Sequence, residues 1–210
     1  MKPGGRIAPL TSADQESFAA VMGRAFADDP LFLHLFGPSK SDRFAAKRVR
    51  LFLTLVFKKA LLQGEDMRGY FENGRLAGAY LAEPPRTSRS GMRQNVKLAG
   101  LLLPLLFRLP LRSLGQLNAY MRVTRNAAPV TAHHYLAMLG VDPSAQGKGI
   151  GRALLLDLFG RVHAHAGSQG AALDTENRRN VDWYVSLGFV LSAEASLGGL
   201  PLYCMHWAPK

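Results

Sequence analysis

The chain has 210 residues, 48% hydrophobic and 20% charged, a balance that excludes wholesale disorder and lets one domain bury a core unaided. Its formal net charge of +11 favours anionic partners, whether a nucleotide cofactor, nucleic acid or an acidic membrane face, without choosing among them. The single cysteine, Cys204, excludes an intrachain disulfide framework and a cysteine-based zinc site; it suits a reducing, cytoplasmic setting, and no metal is expected.

The first ten residues contain Pro3, Gly4 and Gly5 but no apolar run, so no secretory signal is expected. Residues 6–10 read as a short strand. A helix follows over residues 12–26, with Ser12 and Gln15 spaced as a capping box and Phe18, Val21, Met22 and Phe26 on one stripe. Asp28, Asp29 and Pro30 end it, and residues 31–36 are dense in apolar and aromatic groups. A second amphipathic helix starts at Ser41–Asp42 and stops before Gly64. Its apolar side is Phe44, Val49, Phe52, Leu53, Val56, Phe57 and Leu61. Asn73-Gly74 between two short alternating runs, residues 68–71 and 75–82, predicts a hairpin.

Residues 86–132 are the least regular and read as an insertion of helices and loops within a single domain spanning 1–210, with a helix around residues 114–125. Within the insertion, residues 98–107 are apolar and uncharged. That run is well short of the roughly 20 residues a spanning helix needs, so a buried helix or the wall of an apolar pocket is favoured over a membrane-surface contact.

Residues 133–141 form a near-continuous apolar run, the mark of a strand buried on both faces. Asp142-Pro143 ends it, a Gly-rich loop follows, and a helix is predicted over residues 151–166. Short strands at 171–175, 188–193 and 201–207, with a helix at 180–187, complete the chain.

The chemically informative unit is the strand, Gly-rich loop and helix at residues 133–166. Gly147, Gly149 and Gly151 alternate across the turn. Glycine permits positive φ and close approach of backbone N–H groups to a ligand, and such groups at a helix start bind anions, a pyrophosphate being the natural guest. A Walker loop needs Gly-Lys followed by Ser or Thr, and Lys148 is followed by Gly149. A dinucleotide fingerprint needs G-x-G-x-x-G near the start of a βαβ unit, and the spacing here is G-x-G-x-G. Taken alone, the three glycines also fit a flexible loop.

The surrounding residues resemble the GCN5-related N-acetyltransferase (GNAT) superfamily. Gln146 to Gly151 fits the hallmark of Gln or Arg, two residues, Gly, one residue, Gly or Ala. A later stretch, Leu173-Asp174-Thr175-Glu176-Asn177, then Trp183-Tyr184 and Leu187-Gly188-Phe189, fits a second family element. The segment Ala25 to Pro30 is similar, more weakly, to the branch with small-molecule N-acetyltransferases. The resemblance implies an α/β (α+β) fold: a mixed, mostly antiparallel twisted sheet, splayed into a V between two central strands, with helices on both faces. It implies acetyl-CoA as co-substrate, lying in the V. Backbone groups of Leu139 and Val141 would bond the pantetheine like an added strand. N–H groups of Gln146, Gly147, Lys148, Gly149, Ile150, Gly151 and Arg152 would hold the pyrophosphate, and Asn177 and Asn180 would contact the pantetheine arm. Lys148 and Arg152 would add charge near the phosphates, or be ordinary solvated cations. Tyr184 is the family-matched acid for the leaving thiolate, and the Val141 N–H the donor to the thioester oxygen.

The general base is left open. Glu83 closes a predicted strand beside the expected substrate side and is the first candidate. His133 and His134 point to opposite faces of their strand, and Glu176, or a water chain, is an alternative. The expected reaction is acetyl transfer to a primary amine of a small molecule or peptide in a ternary complex, by a monomer or homodimer. Two other readings remain, a CoA-binding regulatory module without turnover and a basic nucleic-acid-binding domain, though no recognised nucleic-acid motif supports the latter.

Overall fold

A computed structural model describes residues 4–85, 100 and 108–209. Strand β1 (Arg6–Pro9) leads into a single 3-10 turn and helix α1 (Gln15–Ala25). The capping box sits one residue earlier than the sequence suggested: the Thr11 N–H and hydroxyl both donate to the Asp14 carboxylate, at 2.8 Å each. Helix α2 (Pro30–Phe36) is capped by Asp29, whose carboxylate accepts from the Leu31 and Phe32 N–H groups at 3.0 and 3.1 Å. Pro30 at the first helical position loses nothing, since its missing N–H would have had no partner there. The apolar run at 31–36 is therefore a helix.

Helix α3 (Arg43–Gln63) is capped by Asp42 and ended by Gly64 at φ 65°. Its buried stripe starts at Ala45 and continues through Val49, Leu53, Phe57 and Ala60; Phe44 and Leu61, expected inside, are exposed. Strands β2 (Asp66–Glu72) and β3 (Arg75–Glu83) form the predicted hairpin. Both turn residues, Asn73 and Gly74, take positive φ, as its two-residue turn requires.

Helix α4 (Leu111–Asn126) is longer than predicted and begins behind Pro110. Residues 86–99 and 101–107 of the expected insertion, which include all of the apolar run at 98–107 but Gly100, lie outside the described residues. Strand β4 (His134–Val141), a 3-10 turn, helix α5 (Ile150–Ala164), strand β5 (Ala171–Thr175), helix α6 (Arg178–Val185), strand β6 (Val190–Leu197) and strand β7 (Leu200–Trp207) follow. Helix α6 starts two residues before its predicted position because Asn177 caps it, accepting from the Arg179 N–H at 3.0 Å.

The seven strands make one sheet in the order β1-β2-β3-β4-β5-β7-β6. Every neighbouring pair is antiparallel except β4 and β5. That one parallel pair is also the point of rupture. Its register runs only from His134↔Ala171 to Leu136↔Leu173; beyond it, residues 138–141 of β4 stay on β3 while Asp174 and Thr175 stay on β7. An unpaired residue on β4 marks the place, because the β3–β4 register shifts between Leu81 and Ala82. Such a bulge bends its strand. The result is the expected V, with β4 on one arm and β5 on the other.

Helices cover both faces. One core joins α1, α2 and α3 to Met67, Ala79, Leu81 and Met138. The other joins α5 and α6 to Tyr80, Leu136, Leu173 and Met205. Two glycines allow the close packing at the V. A Cβ on Gly140 would lie 3.0 Å from Met22 Sδ and from the Phe26 ring, and one on Gly78 would lie 3.0 Å from the Gly140 carbonyl oxygen. No helix among the described residues is long and apolar enough to cross a membrane.

Candidate active site

The open edge of β4 is set by the strand ladder. The Asp142 N–H donates to Ala77 O at 2.8 Å, with Gly78 opposite Val141. Alternate residues of an antiparallel strand bond alternate neighbours, so Gly140 and Asp142 face β3, while Leu139 and Val141 turn their N–H and C=O groups into the V. The Val141 carbonyl is met there by the side chain of Gln146, whose Nε2 donates to it at 3.1 Å.

Below this edge lies the Gly-rich loop. Asp142 anchors its start: its carboxylate accepts from Ser144 N at 3.0 Å, Ser144 Oγ at 2.7 Å and Arg24 Nε at 2.9 Å. Burial alone would raise the Asp142 pKa, but these hydrogen bonds outweigh it and hold the carboxyl below its ordinary range. Gly147 and Gly149 take φ of 76° and 80°, Gly149 as the residue preceding α5, and nothing lies within 4 Å of a Cβ built on either. Gly151 differs. It is helical, and its added Cβ would rest 3.5 Å from the Trp183 ring, an ordinary contact. The N–H groups of residues 147–152 have no acceptor in the described chain, whereas Ala153 N–H already bonds Gly149 O at 3.0 Å. The free amides thus converge at the positive end of the α5 dipole. Lys148 is tied to Glu72 at 3.1 Å; Arg152 is exposed and has no ion-pair partner among the described residues.

The other arm carries side chains instead of bare amides. Tyr184 on α6 is 8% exposed, packed edge-on against Phe189 with ring centroids 5.4 Å apart. Its hydroxyl has no hydrogen-bond partner in the described chain. Burial first, and then the charges of Asp174 and Glu176, push its pKa up, so it stays protonated. Asn177 spends its side-chain oxygen on capping α6, and Asn180 donates to Thr175 Oγ1 at 3.2 Å.

Glu83, the first candidate base, sits at the end of β3 opposite Tyr135. Lys59 and Arg125 hold its carboxylate at 2.9 and 2.8 Å. Burial would raise its pKa, but the two cations lower it further than burial raises it, the reverse of what a base working near neutral pH requires. His133 and His134 stand at the far end of β4 from the loop. His134 is buried, bonded through Nδ1 to Ser168 Oγ at 2.8 Å, and His133 lines a separate cavity of about 420 Å³ with Gln169, Ser192 and His206.

Four side chains that the sequence did not single out, Asp174, Tyr120, Tyr135 and Asp29, gather with Glu176 at the tip of β5. Asp174 at the end of β5 accepts from the hydroxyls of Tyr120 on α4 and Tyr135 on β4. Tyr120 also reaches the Glu176 carboxylate. Asp29, at the start of α2, is the third carboxyl whose charge bears on both. The only advance signal was Asp174 and Glu176 two apart within a stretch already read for its asparagine and tyrosine.

Residues 112–191 match the family model of the acetyltransferase (GNAT) domain. The whole chain superposes on solved acetyltransferases of low identity. A histone acetyltransferase HPA2 and related acetyltransferase from Corynebacterium glutamicum is 21% identical, with a TM-score of 0.68 over 98% of this chain and 97% of that one. PaiA N-acetyltransferase from Thermoplasma acidophilum, solved with coenzyme A, is 13% identical, with a TM-score of 0.59 over 98% and 99%. The putative acetyltransferase yncA of Salmonella typhimurium, solved with acetyl-CoA, is 18% identical, with a TM-score of 0.54 over 98% and 94%. The protein has the GNAT fold, and within it residues 112–191 match the acetyltransferase (GNAT) domain model.

Proposed function

We propose that the protein transfers an acetyl group from acetyl-CoA to a primary amine of a small molecule or peptide, by direct attack within a ternary complex. The observation that carries this reading is the run of unpaired N–H groups at residues 147–152 beneath the open edge of β4. Backbone donors at a helix start are the ordinary means of holding a pyrophosphate, and a free strand edge holds an extended amide chain. Coenzyme A offers both, one below the other. When bound it supplies the activated acyl carbon.

The residues then divide the work. Leu139 and Val141 bond the pantetheine arm as an added strand, which requires Gln146 Nε2 to leave the Val141 carbonyl or to share it. The N–H groups of residues 147–152 take the diphosphate, with Arg152 available for a further phosphate charge and Lys148 already committed to Glu72. The remaining side-chain donors of Asn177 and Asn180 lie along the other arm. The Val141 N–H donates to the thioester oxygen as charge gathers there. Tyr184, kept protonated by burial, hands a proton to the departing sulfur, whose thiol pKa of about 8.5 makes assistance worthwhile.

The test is calorimetric titration with acetyl-CoA, followed by thiol release with a panel of primary amines. Uptake of one acetyl-CoA per chain and amine-dependent thiol release are expected. Uptake without release from any amine would favour a binding module over an enzyme.

A further inference from the structure

The mechanism leaves a buried polar cluster unused, at the tip of β5 where the V is widest. Asp174 and Glu176 lie two residues apart, and one phenol, Tyr120, contacts an oxygen of each. Tyr135 donates to the other Asp174 oxygen. The hydrogens can be counted. Tyr135 brings one and Tyr120 brings one, yet Tyr120 touches two carboxyl oxygens. A third hydrogen is needed for both contacts to be bonds, and only a carboxyl can hold it. Burial and neighbouring carboxyl charges raise the pKa of both carboxyls, which favours keeping such a proton within the pair.

Two further facts point to a guest. Tyr184, more than nine-tenths buried, has a hydroxyl with no partner and is influenced by both carboxyl charges. The Glu176 carboxyl, which also accepts from its own backbone N–H, is not sealed from solvent. The free donor of Tyr184 lies close enough to both carboxyls for their charges to act on it, and a guest that both donates and accepts would satisfy the group.

We propose that Asp174 and Glu176 form the acceptor pocket, which takes a cationic primary amine, and that Glu176 accepts the proton that frees the amine to attack. This inference rests on the acetyl-transfer reading. The step balances as follows. The alkylammonium gives one proton to Glu176, and its lone pair forms the C–N bond at the thioester carbon. The C–S bond breaks, and the sulfur takes the Tyr184 proton. The nitrogen's second proton restores Tyr184, and Glu176 returns its proton to solvent.

The groups facing Glu176 come from every element around it: Asp174 on β5, Tyr120 on α4, Asp29 before α2, Tyr184 on α6, Cys204 on β7 beside Asp174, and Tyr135 on β4 with the Arg125 guanidinium 3.6 Å over its ring. Burial and then the Asp29 charge raise the Glu176 pKa to about 8, the range in which a carboxylate can take a proton from an ammonium near neutral pH. Tyr120 links this chemistry to α4, so the helix contributes to catalysis as well as to the fold.

The experiment is a kcat and kcat/KM profile from about pH 6 to about pH 10 with primary alkylamines, for the wild type, Glu176→Gln, Asp174→Asn and Tyr120→Phe, with acetyl-CoA affinity measured alongside. The wild type is expected to gain kcat as pH rises through the Glu176 pKa. Glu176→Gln should lose that limb and about 10²- to 10⁴-fold in kcat, while binding acetyl-CoA within about threefold of the wild type. Asp174→Asn should raise KM for the amine more than it lowers kcat. Should Glu176→Gln fail to fold, Tyr120→Phe decides the matter. It keeps both carboxyls but removes a donor to Glu176, so the limb should move to higher pH. A full limb in Glu176→Gln, or an unmoved one in Tyr120→Phe, would overturn the assignment. Failure of the wild type to take up acetyl-CoA would instead overturn the transfer reading, and this one with it.

Discussion

The two arms of the V solve their problems with different materials. The β4 arm and its loop present backbone: N–H groups left unpaired by a helix start and a strand edge left bare by the splay. The β5 arm presents side chains gathered from α2, α4, β4, β5 and α6. Backbone sites suit a ligand of fixed chemistry, because the donors are the same whatever the residue and only conformation must be secured. Side-chain sites can be re-specified one residue at a time. In the proposed reading the first arm holds the coenzyme and the second takes the acceptor, and each half can be broken separately.

The largest effect is expected from the acceptor arm. Tyr184→Phe keeps the packing against Phe189 and removes only the hydroxyl. It should lower kcat by about 10²-fold or more with acetyl-CoA affinity unchanged, as read by thiol release and calorimetry. Intact turnover would remove Tyr184 from the chemistry. On the other arm, Gly149→Val forces a branched side chain onto φ 80°, at a cost of about 1–2 kcal/mol. Its acetyl-CoA affinity should fall roughly tenfold if that strain is relieved by losing the loop geometry. Gly151→Ala is the internal control, since its backbone is helical and the added methyl meets Trp183 at 3.5 Å; it should bind nearly as the wild type does. Equal losses at both positions would mean that bulk, not backbone conformation, matters.

Glu83 sharpens the division further. Its carboxylate closes an ion pair with Lys59 and Arg125, and Arg125 in turn covers the Tyr135 ring. Glu83→Gln should therefore cost stability, about 1–3 kcal/mol in denaturant unfolding, and leave the pH profile of kcat in place. Loss of the alkaline rise in this variant would restore Glu83 as the base.

How much of this was legible in the sequence follows the same line. Glycines at 147 and 149 announce positive φ directly, and Asn73-Gly74 announces its hairpin, because these residue types exist for those conformations. Periodicity located β4, α3 and α5. Burial along α3 was displaced at Phe44 and Leu61, because the end turns of a stripe depend on what the neighbouring elements leave uncovered. Asn177 was read for its chemistry when its local duty, capping α6, was equally visible from its position before the helix. Of the cluster at the tip of β5 only Glu176 was read, as an alternative base, and its partners were not. Tyr120, Tyr135, Asp174 and Glu176 are separated by up to 56 residues, and an unaligned sequence carries no mark of which tyrosine reaches which carboxyl.

The smallest expected effect concerns stability. Glu176 has an ordinary pKa near 4.5 when unfolded and about 8 when folded. Between those values the native state holds a proton that the unfolded chain has released, so its stability must fall as pH rises through that window. Gln cannot titrate. The melting temperature of Glu176→Gln should therefore gain on that of the wild type between about pH 5 and about pH 8, by roughly 2–4 °C for each kcal/mol the carboxyl contributes. The gain would identify the acceptor arm as strained for function, a common trade where activity needs an unfavourable charge. No such drift is expected for Gly149→Val, whose site contains no titrating group. A constant temperature gap for Glu176→Gln across that range would mean the folded carboxyl titrates normally, and the acceptor arm would lose its claim to a proton.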